Sequence, residues 1–250
     1  MTAVYVYGIA RAGEPTDVET PGVGESRAAV RRIVHGELAA FVSDVDRGPL
    51  AAARELRAHW RVLEGAASKA TVLPVRFGTV MESDEAVVKE FLAPRHDRLV
   101  AQLAELTGKV QLTVKAFYDE ERLLRGVVEG SPAVARLSER VRGRSEAATY
   151  YDRIQLGELV SGEVDRARER DGAMLLGRLE PLAVAARREP PSTPDCAVNA
   201  AFLVERGRVE EFSGAVAKLA VEVEERMRLR YVGPLPPYSF TEEEAAPAWA

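Results

Sequence analysis

The residues whose side chains could do chemistry are few and lie far apart in the chain. The histidines His35, His59 and His96 fall in a predicted turn, a predicted helix and a helix that follows a proline. No two of them are four residues apart, and the chain has neither H-x-x-H nor H-E-x-x-H, the spacings that place zinc ligands on one helix face. We therefore predict no metal site and interpret the histidines as solvated side chains.

A nucleophile beside a base is also missing from the sequence. Cys196 follows Asp195, no histidine lies near it in the chain, and no G-x-S-x-G elbow occurs. We interpret Cys196 as a small buried residue that opens a strand. The stretch from Gly22 to Gly24 is only G-x-G and follows a loop, whereas a dinucleotide fingerprint follows a strand, so we predict no nucleotide site.

Two groups of charged residues are explained by solvated surfaces. The carboxylates lack the alternating spacing of a calcium loop, and acidic residues interleave the arginines, which argues against a phosphate site. The groups are Glu222, Glu224 and Glu225 with residues 242–244, and Arg136, Arg140, Arg142 and Arg144. We predict no catalytic residue and no cofactor.

Composition limits the class of protein. The chain has 250 residues, of which 46% are hydrophobic and 29% charged, as in globular proteins, and this length favours two domains. A net charge of −5 argues against non-specific nucleic-acid binding. No apolar run approaches the roughly 20 residues that cross a bilayer, and the first ten residues lack the features of a signal peptide. One cysteine permits no internal disulfide and fits a reducing cytoplasm.

Alternation and helical spacing predict the elements of the first half of the chain. An apolar stripe at helical spacing runs from Leu56 to Ala67, and Ser83 can cap a later helix that Pro94 breaks or kinks before Leu106. Strands are predicted over Thr2–Ile9, on both sides of His35-Gly36 between residues 30 and 45, and over Thr71–Val80.

The second half of the chain also contains both predicted helices and predicted strands. Helical stripes are predicted in the long region before Asp171, after Gly172 as far as Ala186, and from Val209 to Met227. Strands are predicted over residues 112–118, 197–204 and 229–232. The pattern indicates an α+β fold with two domains, each with a mixed or antiparallel sheet and helices, for which ferredoxin-like units are the simplest architecture. The predicted divisions are 1–107, 108–232 and a proline-rich tail, 233–250, in which we expect disorder after residue 240.

Two features need more than a solvated surface. Arg76 has apolar neighbours in a predicted strand, and a charge there requires a partner. We favour an ion pair with a carboxylate of the second half over contact with a ligand. The prolines extend residues 233–240, and docking on the protein's own body would cover Leu235, Tyr238 and Phe240.

Several segments, in order along the chain, resemble the gas vesicle protein F/L family. They are Tyr5 to Ile9 (YVYGI), Leu73 to Thr79 (LPVRFGT), Tyr150 to Glu158 (YYDRIQLGE), Asn199 to Val204 (NAAFLV) and Arg230 to Phe240 (RYVGPLPPYSF). PVRFGT and YVGPLPPYSF are the most specific of these.

The resemblance implies a cytoplasmic accessory protein of the gas vesicle that has two α+β domains, no cofactor and no catalytic residues. It also implies contacts with the gas vesicle shell protein and with other accessory proteins. Arg76, Tyr231, Tyr238 and Phe240 are the structural or interaction candidates within the matching segments. The alternative is a ligand-binding or enzymatic protein on a ferredoxin-like scaffold, with a pocket between the domains near Arg76.

Overall fold

The computed structural model describes residues 2–14, 18–46 and 52–241. These residues fold into two compact units. The first unit contains the described residues up to Gln111 together with those from Pro234 onward, and the second unit is Leu112–Gly233. The division at residues 107 and 232 as separately folding domains stays a prediction, and residues 242–250, where we expect disorder, lie outside the described residues.

The first unit is built on an antiparallel sheet in the order β2-β3-β1-β4, with β5 also paired to β1. These strands are β1 (Thr2–Arg11), β2 (Arg31–His35), β3 (Leu38–Asp46), β4 (Leu73–Pro74) and β5 (Val80–Met81). The strand predicted at the start of the chain and the hairpin predicted around Gly36 are confirmed. The pairing of β1 with β3 shifts register between Val6 and Gly8, which places a bulge in the central strand.

The helices of the first unit are α1 (Ala52–Ala67), α2 (Asp84–Ala86) and α3 (His96–Leu106). The side chain of Ser83 accepts a hydrogen bond from the backbone N–H of Ala86, so the predicted cap is confirmed. A π turn (Val87–Leu92) and a 3-10 turn (Ala93–Arg95) separate α2 from α3. Pro94 lies in this 3-10 turn, which agrees with the predicted break.

The second unit has the antiparallel strand order β7-β8-β6-β9 with helices in the connections. Its elements are β6 (Lys109–Tyr118), α4 (Glu120–Gly130), α5 (Pro132–Val141), α6 (Tyr150–Leu179), β7 (Ala185–Arg188), β8 (Cys196–Glu205), α7 (Val209–Val223) and β9 (Met227–Leu235). The chain therefore runs strand, helices, hairpin, helix, strand, and its strand order is that of a ferredoxin-like unit.

The first unit has the same strand order with one connection changed. In a ferredoxin-like unit a helix follows the first strand, whereas the described residues between β1 and β2, 12–14 and 18–30, form no helix. The α+β class and the two antiparallel sheets agree with the prediction.

Three predicted elements are wrong in extent. Residues 75–79 of the predicted strand Thr71–Val80 form a turn. Only the short strands on either side of this turn, β4 and β5, pair with β1. The helix predicted to reach Ala186 ends at Leu179, where Pro181 enters a 3-10 turn, and Ala186 pairs with Phe202 in a strand. Met227, predicted in a helix, begins β9 instead.

Candidate functional site

The turn of residues 75–79, here called the arginine turn, is fixed at both ends to strand β1. The backbone N–H of Val75 donates to the carbonyl of Tyr7 at 2.8 Å, and that of Val6 donates to the carbonyl of Thr79 at 3.0 Å. Gly78 has a φ of +89°, a backbone conformation that favours glycine. The turn is therefore a defined structure on the edge of the central strand.

Aromatic side chains lie beneath the arginine turn. The hydroxyl of Tyr5 accepts a hydrogen bond from the backbone N–H of Gly78 at 2.9 Å, and it lies 3.0 Å from Nδ1 of His59. The ring of Phe77 lies 6.4 Å from that of Tyr5 and 5.7 Å from that of His59. We call Tyr5, Tyr7, His59, Phe77 and Tyr238 the aromatic cluster.

The C-terminal segment completes the aromatic cluster. The hydroxyl of Tyr238 lies 3.4 Å from Nε2 of His59, and its ring centroid is 4.6 Å from that of Trp60. The backbone N–H of Ser239 donates to Oε1 of Gln111 at 2.8 Å. Since the hydroxyl of Tyr5 accepts a hydrogen bond from Gly78, it can donate its own hydrogen bond to Nδ1 of His59, which places the ring N–H at Nε2, facing Tyr238.

Tyr7 connects the cluster to the loop before β2. Its hydroxyl lies 2.7 Å from Oγ of Ser43 and accepts a hydrogen bond from the backbone N–H of Val23, also at 2.7 Å. The next residue, Gly24, donates its backbone N–H to the buried carboxylate of Glu55 at 2.7 Å. This loop thus supplies backbone donors to the buried oxygens of Tyr7 on β1 and Glu55 on α1.

The aromatic cluster is electrically neutral near pH 7. His59 is only 1% exposed, and burial lowers its pKa from the usual 6.5 to about 4, against the opposing effect of a hydrogen bond to the backbone of Val75. Burial also raises the pKa values of Tyr5, Tyr7 and Tyr238 above their ordinary value. The prediction that the histidines are solvated is therefore wrong for His59.

Arg76 is exposed at the surface of the arginine turn. Among the described residues of the first unit, no carboxylate forms an ion pair with Arg76, and the ion pair with a carboxylate of the second half stays a prediction. The predicted strand around Arg76 is wrong, because a turn occupies these residues and leaves the side chain exposed. The backbone carbonyl of Arg76 instead accepts hydrogen bonds from the N–H and the hydroxyl of Thr79, at 3.3 and 2.8 Å.

Tyr238 and Phe240 belong to the first unit, as Arg76 does, and both are half-buried. Tyr231 lies in the second unit, where its hydroxyl is 2.9 Å from that of Ser213 and its ring is 6.4 Å from that of Phe212. Of the four candidates, only Tyr238 is a member of the aromatic cluster. The roles of all four stay predictions.

Sequence reasoning missed an exposed row of apolar side chains at the start of α6. Tyr150, Tyr151 and Ile154 are exposed to 60%, 83% and 46%, and we call them the apolar row. No residue of α6 before Asp171 is buried. The signal was present in the spacing, since Tyr150 and Tyr151 lie four and three residues before Ile154 and so share one helix face.

Metal-binding clusters and membrane-spanning helices are both absent from the described residues. Within 2–14, 18–46 and 52–241, no three His, Cys, Asp or Glu side chains are grouped so that they could hold a metal ion. In the same ranges, no helix combines the length and the apolar character that crossing a membrane requires.

Known proteins match this chain over nearly its whole length. The family described as "Gas vesicle synthesis protein GvpL/GvpF" matches residues 3–242. "Gas vesicle protein F" of Streptomyces sp. (strain CB03234) is 38% identical over 96% of this chain and 100% of its own length. "Gas vesicle protein L" of the same strain is 27% identical over 94% of this chain and 91% of its own length.

The fold is shared with solved structures. The crystal structure of the gas vesicle protein GvpF from Anabaena sp. PCC7120 is 27% identical, covers 98% of this chain and 100% of its own, and superposes with a TM-score of 0.83. The GvpF structure from Microcystis aeruginosa is 26% identical and has a TM-score of 0.76. On the match over residues 3–242, the chain belongs to the gas vesicle synthesis protein GvpL/GvpF family.

Proposed function

We propose that this protein promotes gas vesicle assembly in the cytoplasm by binding the shell protein and other accessory proteins, and not by catalytic turnover. The observation that carries the proposal is the family match over residues 3–242. The arginine turn and the apolar row are the exposed features that support binding as the mode of action. The relatives' names associate them with the gas vesicle, and the partners named here are our inference.

The chemistry of the aromatic cluster supports a structural role for the buried histidine. Both ring nitrogens of His59 face tyrosine hydroxyls, and its lowered pKa leaves it uncharged at neutral pH. A general base must reach a substrate proton, which a histidine with 1% exposure does not. Cys196 is buried, and its thiol donates to the carbonyl of Val198, so it does not supply an exposed nucleophile.

The apolar row is the surface that we assign to the shell protein. Scattered single apolar residues are ordinary on a protein surface, but three on adjacent positions of one helix face form a patch. A protein shell that holds gas and excludes liquid water needs an apolar face, because such a face is costly to wet. Before assembly, that apolar face of the subunit has to be shielded from water by another protein. Exposed aromatic side chains such as Tyr150 and Tyr151 are well suited to packing against it.

A small patch suffices for this function because the shell repeats the same subunit. Each contact of Tyr151 and Ile154 with one subunit can be weak, yet several linked contacts bind far more tightly than one.

We further propose an F-type rather than an L-type role, since the identity to the F protein of the Streptomyces strain is 38% and that to its L protein 27%.

The test is complementation of a vesicle-forming host from which the homologous F protein has been deleted. We expect this chain to restore vesicles, and the double variant Tyr151→Ser, Ile154→Ser to restore far fewer while it keeps its melting temperature. The matched control is Val184→Ser with Val221→Ser, which also removes two exposed apolar side chains, at 53% and 67% exposure.

Purified protein provides the second measurement. We expect the wild-type protein to bind refolded shell protein. The apolar-row variant should bind less than half as much shell protein. Normal vesicles in the deletion host without complementation, combined with failure of the wild type to capture shell or accessory proteins, would overturn the proposal.

A further inference from the structure

The second unit contains a cavity whose lining includes three basic side chains. Its volume is about 720 Å³. It is lined by Lys115, Phe117, Ser192, Thr193, Asp195, Arg228, Leu229 and Arg230. We call it the basic cavity. Sequence reasoning gave no indication of it, because the lining residues come from three separate parts of the chain.

Neighbouring strands position the cations of this cavity. Lys115 lies on β6 among the alternate residues that are half-buried, while the residues on either side of it, Val114 and Ala116, are buried. Arg228 and Arg230 are two residues apart on β9 and therefore share one face of that strand, which is the neighbour of β6. Three cationic side chains thus line one cavity.

A loop with fixed ends forms the other wall. The carbonyl of Asp195 accepts a hydrogen bond from the backbone N–H of Tyr118 at 3.0 Å, and the carbonyl of Thr193 accepts one from the N–H of Cys196, also at 3.0 Å. The loop carries the exposed hydroxyls of Ser192 and Thr193 into the lining. The cavity therefore has hydrogen-bond donors beside its cations.

The charges of the basic cavity are not balanced from within. Asp195 is its one carboxylate, and in the described part of the chain neither Lys115 nor the two arginines form an ion pair. By contrast, Arg226, one position before β9, forms an ion pair with Asp171 at 2.9 Å. Like charges on neighbouring strands repel one another, so this arrangement costs stability unless an anion occupies the cavity.

We propose that the basic cavity binds an acidic peptide segment of another gas vesicle protein. This rests on the proposed function, because it names the chemistry of one partner. A volume of about 720 Å³ exceeds what a single small anion fills and is in the range of pockets that hold larger ligands. Several carboxylates on one extended segment would pair with the three cations, while the half-buried ring of Phe117 contacts the aliphatic part of the segment.

The experiment uses the full chain and a fluorescein-labelled peptide of ten glutamates, with binding followed by fluorescence anisotropy. We expect saturable binding that weakens as sodium chloride rises from about 50 to 500 mM. The double variant Arg228→Glu, Arg230→Glu should raise the Kd on the order of ten-fold or more. The control Arg57→Glu, Arg61→Glu makes the same change of net charge at two exposed arginines of α1 and should alter the Kd by less than about two-fold.

Three binding results would overturn the assignment of the cavity to an acidic peptide. Equal loss of binding in both double variants would show a response to net charge alone, and unchanged binding in the Arg228 and Arg230 variant would place the peptide elsewhere. Displacement of the peptide by millimolar inorganic phosphate, beyond that caused by sodium chloride of equal ionic strength, would indicate a phosphate site instead.

The deletion host separates this proposal from the proposed function. If the wild-type chain restores vesicles and the Arg228 and Arg230 variant does so equally well despite lost peptide binding, the acidic partner is not a vesicle protein and the proposed function stands. If the wild type fails to restore vesicles, the proposed function fails, while the anisotropy measurement still decides whether the cavity binds acidic peptides.

Discussion

The hydroxyl of Tyr238 lies 3.4 Å from Nε2 of His59, although 179 residues separate the two in the chain. His59 is on the buried side of α1, and Tyr238 begins a short 3-10 turn near the end of the described chain. Two further contacts support the pair, the ring of Trp60 beside Tyr238 and the hydroxyl of Tyr5 on the opposite nitrogen of His59. A residue far along the chain thus completes the core of the first unit.

Tyr238→Ala should destabilise the protein. The substitution removes a half-buried ring from Trp60 and His59, at a cost of about 2 kcal/mol in the free energy of unfolding. Urea unfolding followed by fluorescence measures the change. The control is Tyr151→Ala, which removes an 83% exposed ring and should change stability by less than about 0.5 kcal/mol. Equal effects of the two substitutions would refute a stabilising role for the Tyr238 contacts.

Stability should fall as the pH falls below about 6.5 because of His59. The pKa of His59 is lowered to about 4 in the folded protein, so between these two pH values the unfolded state takes up a proton that the folded state does not. The stabilisation is complete above pH 6.5 and is lost progressively toward pH 4, on the order of 3 kcal/mol in total. Thermal unfolding between pH 4.5 and 7.5 checks this.

The control for the pH dependence is His59→Gln, which cannot titrate in this range. Its melting temperature should be lower than that of the wild type at pH 7.5, and the difference between the two should narrow as the pH falls. Parallel curves would show that other groups cause the pH dependence.

Gly8→Ala should destabilise the first unit because the space beside Gly8 is filled. A Cβ atom at this position would lie 2.7 Å from Cδ2 of Leu63 and 2.9 Å from the backbone carbonyl oxygen of Leu73. Overpacking of this kind costs roughly 1–3 kcal/mol. Gly162→Ala is the matched control, since it lies in α6 with open space around it and should be neutral or slightly stabilising. Chemical denaturation of both variants measures the difference, and equal stabilities would contradict the packing argument.

Arg76→Ala should leave the melting temperature within about 2 °C of the wild-type value, because an exposed side chain that forms no ion pair among the described residues of the first unit contributes little to folding. If Arg76 contacts a partner, vesicle yield in the deletion host should fall. Arg57→Ala, at another exposed arginine, which lies on α1, is the control. A large loss of stability in Arg76→Ala would restore the structural interpretation made from the sequence.

The elements with long, regular spacing could be predicted from the sequence, and the short ones could not. Val75 and Phe77 alternate with Pro74, Arg76 and Gly78 as in a strand with one apolar face, but Gly78 with its positive φ turns the chain. Alternation over so few residues does not distinguish a strand from a turn. That error also placed Arg76 in a strand and led to the predicted ion pair.

The burial of His59 was missed for a related reason. The predicted stripe on α1 contained Leu56, which is 40% exposed, whereas Glu55 and His59 are buried on the same helix. The buried face of α1 is thus displaced by one residue from the predicted face. Glu55 and His59, which were expected to face solvent, are buried as a result. Their partners, the N–H of Gly24 and the hydroxyl of Tyr5, come from distant segments that helical spacing alone does not reveal.

The discontinuous first unit has a consequence for synthesis on the ribosome. Residues 112–233 form one uninterrupted stretch, so the second unit can complete its fold while translation continues. The first unit waits for Tyr238, because its first strand is made well before the ring that covers His59, which lies 179 residues further along the chain than that histidine. Synthesis of Tyr238 therefore sets the earliest moment at which the first unit can complete its aromatic cluster.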